Sequence, residues 1–287
     1  MVKITEGCFD ATGHTSIICD FSPPRSGDPT AVDQSQIDAD FISVAYNPGR
    51  TVRTNSAMLA AAIQRNGKDS MFTLATRDMN KLAMQSQLLG AQMLGLQNLV
   101  VVQGDPFGEN DKSRVASVND YQPTELISAI AQMNQGQDFR EGNLSTPTDF
   151  CIGAAVDLGK PIEDEVKLAV RKIRAGAEFL ITQPIFNVDH VARYRESYGY
   201  HADRAGTHPV YFGLQILQKD GVLFSSVPDS VRDELEGGRS GVDIALDLYQ
   251  KFQEARLNNV YLMPPIKRGG ARDYEAAKEF LQKAKRI

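Results

Sequence analysis

Eight short apolar runs recur along the chain, and segments with helical spacing separate them. Each run is six to eight residues long, as expected for a strand that is buried on both faces. The predicted strands cover residues 15–21, 40–46, 70–76, 98–103, 149–156, 178–183, 209–215 and 259–264. The regular alternation of strand and helix favours a parallel sheet built from strand-helix units.

Three of the intervening segments place apolar residues on one face of a helix. The third segment has Leu82, Leu89, Met93 and Leu96, the fifth has Val166, Ala169, Val170 and Ile173, and the seventh has Val242, Ala245, Leu246 and Tyr249. We expect each of these faces to cover the sheet. Gly95 and Gly176 fall just past two of the helices, where a residue with positive φ is expected, so the following connections are short.

Eight strand-helix units predict an α/β protein with the (β/α)8 TIM barrel fold, formed by one domain over residues 1–287. Barrels of this kind have roughly 250 residues. A doubly wound open sheet is the alternative. It is less favoured because the first run continues into SPPRSGDP, where a glycine-rich phosphate-binding turn would be needed.

In a barrel, the ligand site lies where the strands end. The polar or proline residues at these ends are Asp20, Tyr46, Asn47, Thr76, Asp78, Gln103, Asp105, Asp157, Gln183, Gln215, Pro264 and Pro265. An aspartate after a strand is most often a turn former or a helix N-cap, and we keep that interpretation for Asp157 and, on spacing alone, for Asp78. For Asp105 and Gln183 a structural and a functional role both stay open; Pro184 is expected to stop its strand and point the Gln183 amide into the barrel mouth.

Composition limits the possible partners. The net charge of −5 comes from 36 acidic and 31 basic residues spread along the chain, so we expect neither a nucleic-acid nor a membrane partner. The N-terminus has no apolar block, which predicts a cytoplasmic protein. Cys8, Cys19 and Cys151 and the four histidines form no metal-ligand spacing, so neither a metal nor a disulfide framework is expected.

Nucleophile motifs are also missing from the sequence, which contains no Gly-x-Ser-x-Gly elbow and no cysteine with a suggestive partner histidine. The chemistry would then fall to isolated acids or to an organic cofactor that the protein binds and orients. A small-molecule partner is therefore expected.

Several segments closely resemble the methylenetetrahydrofolate reductases. They are RDMNKLAMQSQLLGAQMLGLQNLVVVQGDP (77–106), FCIGAAVD (150–157) and EVKLAVRKIRAGAEFLITQPIFN (165–187), with FSPPR (21–25) and SVAYN (43–47) resembling the ends of the family's first two strands. The resemblance runs from about residue 20 to residue 261 in one order. YLMPPIKR (261–268) and NPGRTVRTNS (47–56) are most similar to the reductase half that some bacteria fuse to homocysteine methyltransferases.

This resemblance implies a barrel that holds FAD and passes hydride from NADH or NADPH to 5,10-methylenetetrahydrofolate, giving 5-methyltetrahydrofolate. It implies that Asp20 is the general acid that assists opening of the imidazolidine ring, that Asp105 stabilises the developing cation by its charge, and that Gln183 hydrogen-bonds folate or nicotinamide. It further implies flavin contacts at Thr73, Thr76, Asp78, Gln103, Gly104, Asp105, Ala155 and Lys172, and substrate contacts at Tyr46, Asn47, Gln183 and Gln215.

Three positions depart from the family pattern. The family usually has glutamate at position 20, arginine at 103 and histidine at 73, where this chain has Asp20, Gln103 and Thr73. The shorter Asp20 loses about 1.5 Å of reach, so either the backbone compensates or a water intervenes. Two alternatives therefore stay open: direct hydride transfer without flavin, and a folate-binding methyl-transfer partner without redox chemistry. A homo-oligomer or a complex with a methyltransferase is possible, and no regulatory domain is expected.

Overall fold

The structure is a computed structural model that describes residues 2–7, 15–201, 208–223, 225–268 and 270–286. Eight parallel strands form a closed barrel in sequence order: β1 (Ser16–Phe21), β2 (Phe41–Val44), β3 (Ser70–Ala75), β4 (Asn98–Val102), β5 (Cys151–Val156), β6 (Phe179–Pro184), β7 (Val210–Gln215) and β8 (Asn259–Met263). β1 pairs with β8 from Ser16 opposite Asn259 to Cys19 opposite Leu262. This pairing closes the sheet and confirms the single (β/α)8 barrel over the open-sheet alternative.

Helices surround the barrel in the described part of the chain. They are α1 (Ile4–Gly7), α2 (Ser56–Arg65), α3 (Lys81–Met93), α4 (Pro123–Met133), α5 (Ile162–Arg174), α6 (Asp189–His201), α7 (Asp229–Glu236), α8 (Gly241–Glu254) and α9 (Tyr274–Ala284). A 3-10 segment, Pro29–Ser35, takes the place of an α-helix after β1. Gly95 and Gly176 have φ of 85° and 116°, which confirms the predicted short connections after α3 and α5.

The predicted helix faces are confirmed for α5 and α8 and are wrong for α3. Val166, Ala169, Val242 and Ala245 are all buried against the barrel. On α3, however, Leu82, Leu89 and Met93 are 62%, 37% and 89% exposed, and the fourth predicted residue, Leu96, is buried but lies beyond the end of the helix. The buried stripe is instead Met84, Leu88 and Ala91, nearly opposite on the helix. Because α3 has apolar residues on two faces, spacing alone does not identify the face that packs.

The end of β6 also differs from the prediction. Pro184 belongs to the strand and lies opposite Gly213 after a register shift that begins at Ile181. The Gly213 amide donates to the Thr182 hydroxyl at 2.8 Å, so a side chain replaces a ladder bond at the irregularity. A Cβ on Gly213 would lie 2.6 Å from the Gln183 carbonyl oxygen. Only a glycine at position 213 of β7 therefore allows the main chain of β6 at Gln183 to approach so closely.

The barrel interior is filled by side chains. Ile18, Phe41, Met71, Val100, Phe179 and Tyr211 form its buried core, together with Ile4 from α1. The Ile4 amide donates to Asn98 Oδ1 at 3.0 Å, so α1 closes the end of the barrel at which β4 begins. Two residues further along their strands, Asp20, Ser43 and Thr73 occupy inward-facing positions near the opposite end.

Within the described ranges, no helix is long and apolar enough to cross a membrane, and no three histidine, cysteine, aspartate or glutamate side chains are grouped to hold a metal ion. Cys19 and Cys151 are buried free thiols. Burial raises the pKa of the Cys151 thiol to about 11. Cys8 and His14 lie outside the described residues.

Candidate active site

A cleft of about 890 Å³ lies at the C-terminal ends of β4, β5 and β6. Six of the residues implicated by the sequence line it: Gln103, Gly104, Asp105, Ala155, Lys172 and Gln183. We call it the Asp105 cleft. The fold therefore brings together residues that lie up to 80 positions apart in the chain, on the face where a barrel carries its ligand site.

The backbone after β4 turns sharply to present Asp105. Gly104 has φ of 84°, and a Cβ there would lie 3.3 Å from the Cβ atoms of both Ala75 and Arg77. Glycine satisfies both the left-handed conformation and the close approach. The Thr76 hydroxyl donates to the Gln103 carbonyl at 3.3 Å, which ties the ends of β3 and β4 together. Asp105 is exposed in the cleft.

Arg77 binds the main chain of this turn. The sequence analysis did not identify this residue. Its side chain is buried; Nη1 donates to the Asp105 carbonyl at 2.6 Å, and Nε and Nη2 donate to the Asp78 carboxylate at 2.5 and 2.7 Å. The guanidinium also lies 4.1 Å from the centre of the Phe107 ring. The hydrogen bonds to Asp78 raise the pKa of Arg77, so the guanidinium that binds the Asp105 carbonyl stays positively charged.

The Asp78 carboxylate, for which the resemblance implied a flavin contact, is bound by the Arg77 guanidinium. It also accepts a hydrogen bond from Tyr46, and burial together with that neighbouring charge raises the pKa of Tyr46 to about 12. Asn47 has φ of 39° at the start of the next turn, and Arg50 Nη1 donates to the Pro106 carbonyl at 3.0 Å. The segment after β2 therefore supports the Asp105 turn, and Tyr46 and Asn47 are not among the residues that line the cleft.

On the other wall, Lys172 of α5 places its ammonium group under β5. Nζ donates to the Ala155 carbonyl at 2.5 Å, and only 8% of the residue is exposed. Burial lowers the pKa of Lys172, while nearby Glu165 opposes that effect. Glu165 accepts a hydrogen bond from the Asp157 amide at 3.0 Å. Asp157 itself accepts from the Gly159 amide at 3.0 Å, which confirms its interpretation as a turn former.

Asp20 lies apart from the lining of the Asp105 cleft, although it is buried near the same end of the barrel. Arg272 Nε donates to its Oδ2 at 2.7 Å, and the Tyr261 hydroxyl donates to its Oδ1 at 3.1 Å. Burial and the Asp20 charge raise the pKa of Tyr261 well above its ordinary value. The sequence analysis missed Arg272, which comes from the loop after β8; its only signal was an arginine following a strand end.

Two further candidates lie outside the lining of the Asp105 cleft. Gln215 is buried, and its Nε2 donates to the Val222 carbonyl at 2.8 Å, so it fixes the segment after β7. Thr73 is partly buried, and its carbonyl accepts from the Ser56 hydroxyl at 2.7 Å, which anchors the start of α2. Neither lines the cleft.

The fold and this charged cleft define a (β/α)8-barrel protein with a small-molecule site at the C-terminal ends of its strands. The comparison with known families then identifies the group within that class. The chain belongs to the methylenetetrahydrofolate reductase family, whose model matches residues 7–236. The matched range includes every residue of the Asp105 cleft but not Tyr261 or Arg272.

One curated relative and one solved structure are similar to this chain. The chain is 20% identical over 231 residues to Methylenetetrahydrofolate reductase 2 of Schizosaccharomyces pombe, a match that covers 75% of this chain and 36% of that relative. The chain thus spans about a third of the relative's length. A solved structure of an uncharacterized protein from Clostridium thermocellum, described as binding two copies of 5-methyl-5,6,7,8-tetrahydrofolic acid, has a TM-score of 0.65 at 14% identity, covering 96% of this chain and 97% of that one.

Proposed function

We propose that this protein reduces 5,10-methylenetetrahydrofolate to 5-methyltetrahydrofolate, using NADH or NADPH and a bound FAD. The observation that carries the proposal is the meeting of Asp105, Gln183 and Lys172 in one cleft, in a chain that belongs to this family. The folate carriers named for the Schizosaccharomyces pombe and Clostridium thermocellum proteins support the same substrate class.

The residues of the Asp105 cleft fit a flavin nucleotide. Lys160, Arg171 and Lys172 line one side and supply positive charge for phosphate oxygens. The Gln103 side chain and the Gly104 backbone offer hydrogen-bonding groups for a planar ring on the other side. A flavin held there would supply the chemistry for hydride transfer between the nicotinamide and the methylene carbon of the folate.

Asp105 contributes a carboxylate to the lining of the cleft. Arg77 binds the Asp105 carbonyl, so the main chain is fixed while the carboxylate is exposed within the cleft. Opening of the imidazolidine ring places positive charge on the folate, and a fixed carboxylate stabilises such charge as it develops. Gln183 supplies an amide that can bind either the pterin or the carboxamide of the nicotinamide in turn.

Asp20 is the proposed general acid, the role that the family resemblance implies for it. Its carboxylate is bound on both oxygens: Arg272 Nε donates to Oδ2 at 2.7 Å, and the Tyr261 hydroxyl donates to Oδ1 at 3.1 Å. The Ser43 hydroxyl lies 3.5 Å from the Tyr261 hydroxyl, so these side chains form one buried polar network around the proposed acid.

The experiment is a spectrum followed by two half-reactions with the full chain. We expect the purified protein to be yellow, to be bleached anaerobically by NADH or NADPH, and to regain its colour when 5,10-methylenetetrahydrofolate is added, with formation of 5-methyltetrahydrofolate. A colourless protein that still turns over would indicate direct hydride transfer from nicotinamide to folate. A pure protein that never converts the folate with any donor would refute the proposal and favour a non-redox folate-binding partner.

The wider assignment follows from the same proposal. We infer a protein of the cytoplasm that serves one-carbon metabolism and methionine synthesis, acting as a homo-oligomer or in a complex with a methyltransferase. Sedimentation of the purified chain, alone and with a homocysteine methyltransferase, tests the assembly directly.

A further inference from the structure

The outer side of α3 carries a row of apolar side chains. Leu82, Ser86, Leu89 and Met93 follow one another at spacings of four, three and four residues, so they lie along one side of the helix. Leu82, Leu89 and Met93 are exposed, and no other helix in the described part of the chain has more than one exposed large apolar residue. We call this row the α3 face.

The α3 face points away from the rest of the barrel. The side of α3 that packs on the barrel carries Met84, Leu88 and Ala91, nearly opposite on the helix. At Gly90, which lies beside the row, an added Cβ would meet nothing within 4 Å. Glycine inside a helix is destabilising, and packing within the chain does not require it at this position. The open surface at Gly90 leaves room for a second helix to approach.

The α3 face also lacks charge. Lys81 is the only charged residue among the 13 of α3, whereas α5, of the same length, has seven. The Lys81 ammonium lies 4.9 Å from the centre of the Tyr121 ring, so it belongs to the start of the helix and not to the row. A helix that faces water normally carries charged and polar residues on its outer side. An apolar, uncharged face of this kind indicates contact with another protein surface.

The order of residues along the row fits a second copy of the same helix. In a two-fold interface the same patch lies on both subunits, and each residue pair occurs twice. When two α3 helices run antiparallel about the middle of the row, Leu82 lies opposite Met93 of the partner subunit, and Leu89 lies opposite Ser86 of the partner subunit. Apolar side chains therefore meet at both ends, each Leu89 faces a small residue, and the opposed helix dipoles attract.

We propose that the α3 face is the contact of a homodimer in which the two α3 helices pack antiparallel across a two-fold axis. A single helix pair buries less than the standard interface of about 1,600 Å², so this dimer should dissociate on dilution in the micromolar range. Such a dimer is a specific form of the homo-oligomer in the proposed function, and its formation does not depend on folate reduction. No residue of α3 lines the Asp105 cleft, so the dimer contact is separate from the cleft.

Sedimentation velocity of the full chain over a range of concentrations, without folate, flavin or nicotinamide, measures the dissociation constant of the dimer. Leu82→Glu and Met93→Lys should each raise it about 30-fold or more, because either change places two unpaired charges in the two-fold contact. Both positions are exposed, and each new charge suits the helix dipole at its end of α3, so both variants should fold. Tyr200→Lys, at a similarly exposed position of α6, is the matched control and should change the constant less than about 2-fold.

The double variant Leu82→Glu with Met93→Lys tests the antiparallel pairing. The introduced carboxylate then lies opposite the introduced ammonium group of the partner, and we expect the dissociation constant to return to within about 5-fold of the wild-type value. Within one chain the two positions are about 16 Å apart along the helix, so an ion pair inside one subunit does not explain such a recovery.

The proposal is overturned if the wild type stays monomeric at about 100 μM, if both single variants dimerise like the wild type, or if the double variant associates no more tightly than the single ones. A monomer that binds a homocysteine methyltransferase, and no longer binds it in both single variants, would assign the α3 face to that protein instead. Because no turnover is measured, these outcomes are distinct from a failure of the reductase assay.

Discussion

Arg272 donates from Nε to Oδ2 of Asp20 at 2.7 Å, and the two side chains are only 2% and 6% exposed. The partners lie at opposite ends of the chain, on β1 and in the loop after β8. Taking two such charges out of water is costly, and their attraction compensates only when hydrogen bonds satisfy the remaining atoms. The Tyr261 hydroxyl and the Gly270 carbonyl provide those bonds, so the pair closes the barrel at its β1–β8 seam.

Removing Arg272 should therefore destabilise the protein strongly. Arg272→Met leaves the Asp20 carboxylate buried with only Tyr261 as a partner, and we expect the free energy of unfolding to fall by about 3–5 kcal/mol. Urea denaturation measures the change. The double variant Asp20→Asn with Arg272→Met should be more stable than Arg272→Met alone, because the unpaired charge is gone. Simple additivity of the two single effects would contradict this account.

Lengthening the acid should reduce both stability and activity. Asp20 is 4% exposed and bound on both oxygens, so the additional methylene of Asp20→Glu has little space. We expect a loss of about 1–3 kcal/mol and a lower kcat/KM for folate reduction, because the site is built around the shorter side chain. Denaturation and steady-state assays measure the two effects. Improved turnover would instead indicate that the family's usual glutamate fits this network better.

The barrel itself could be predicted from the sequence because its strands are buried on both faces. A continuous apolar run such as Leu99–Val102 marks a strand that is covered by helices outside and by side chains inside, and all eight predicted runs are strands. The predicted strand boundaries agree with the observed ones within about two residues. The register shift near the end of β6 was not predicted, because it depends on Thr182 and Gly213 from two different strands, and local sequence does not report that pairing.

Helix orientation was less predictable than helix position. The face of α3 that packs on the barrel carries Met84, Leu88 and Ala91, and the exposed face carries Leu82, Leu89 and Met93. Both faces satisfy the helical spacing rule. The phase is set by where the helix begins, and Asn80 caps it by accepting from the Ala83 amide at 2.9 Å. A one-dimensional pattern contains no such information.

At the candidate site, strand ends identified the residues of the Asp105 cleft but not the groups that hold them. On spacing, the sequence indicated a turn or cap role for Asp78, and the family resemblance implied acid catalysis by Asp20; in the structure each carboxylate is bound by a buried arginine. Arg77 is adjacent to Asp78, whereas Arg272 lies 252 residues from Asp20. Pairs at such separation follow from barrel closure, which the order of the strands determines and the local sequence does not.

The buried ammonium group of Lys172 should give a measurable pH dependence. Its folded-state pKa is lowered from 10.5, so the unfolded chain binds this proton more tightly than the folded protein does. The free-energy cost of burying the protonated Lys172 is greatest below the lowered pKa and disappears as the pH rises through 10.5. Relative to Lys172→Met, the wild type should therefore gain stability between neutral and alkaline pH in urea denaturation. Lys167→Met, on an exposed position of the same helix, should show no such difference; a flat comparison for Lys172→Met would contradict the burial effect.

Arg77 should act on the Asp105 turn as a positioning residue. Arg77→Met removes the bonds to the Asp105 carbonyl and to Asp78, and we expect a loss of about 2–3 kcal/mol with faster amide exchange across residues 103–118. Hydrogen exchange measures the local effect. Arg50→Met is the matched control, since exposed Arg50 binds the Pro106 carbonyl of the same loop and should cost less than about 1 kcal/mol. Equal losses of stability and equal increases in exchange for the two variants would show that Arg77 holds the Asp105 turn no more strongly than Arg50 does.

The charge of Asp105 should matter to one half-reaction only. Its carboxylate is exposed in the cleft and its main chain is held by Arg77, so Asp105→Asn should leave the fold and the reduction of flavin by nicotinamide nearly unchanged. Loss of the negative charge that stabilises the developing cation should slow reduction of the folate about 100-fold. Stopped-flow absorbance resolves the two steps. Glu109→Gln removes a carboxylate of the same loop outside the cleft lining and should alter neither step. Equal losses in both steps for Asp105→Asn would mean that Asp105 places the flavin, because a group that stabilises only the folate cation has no means of slowing hydride transfer from the nicotinamide.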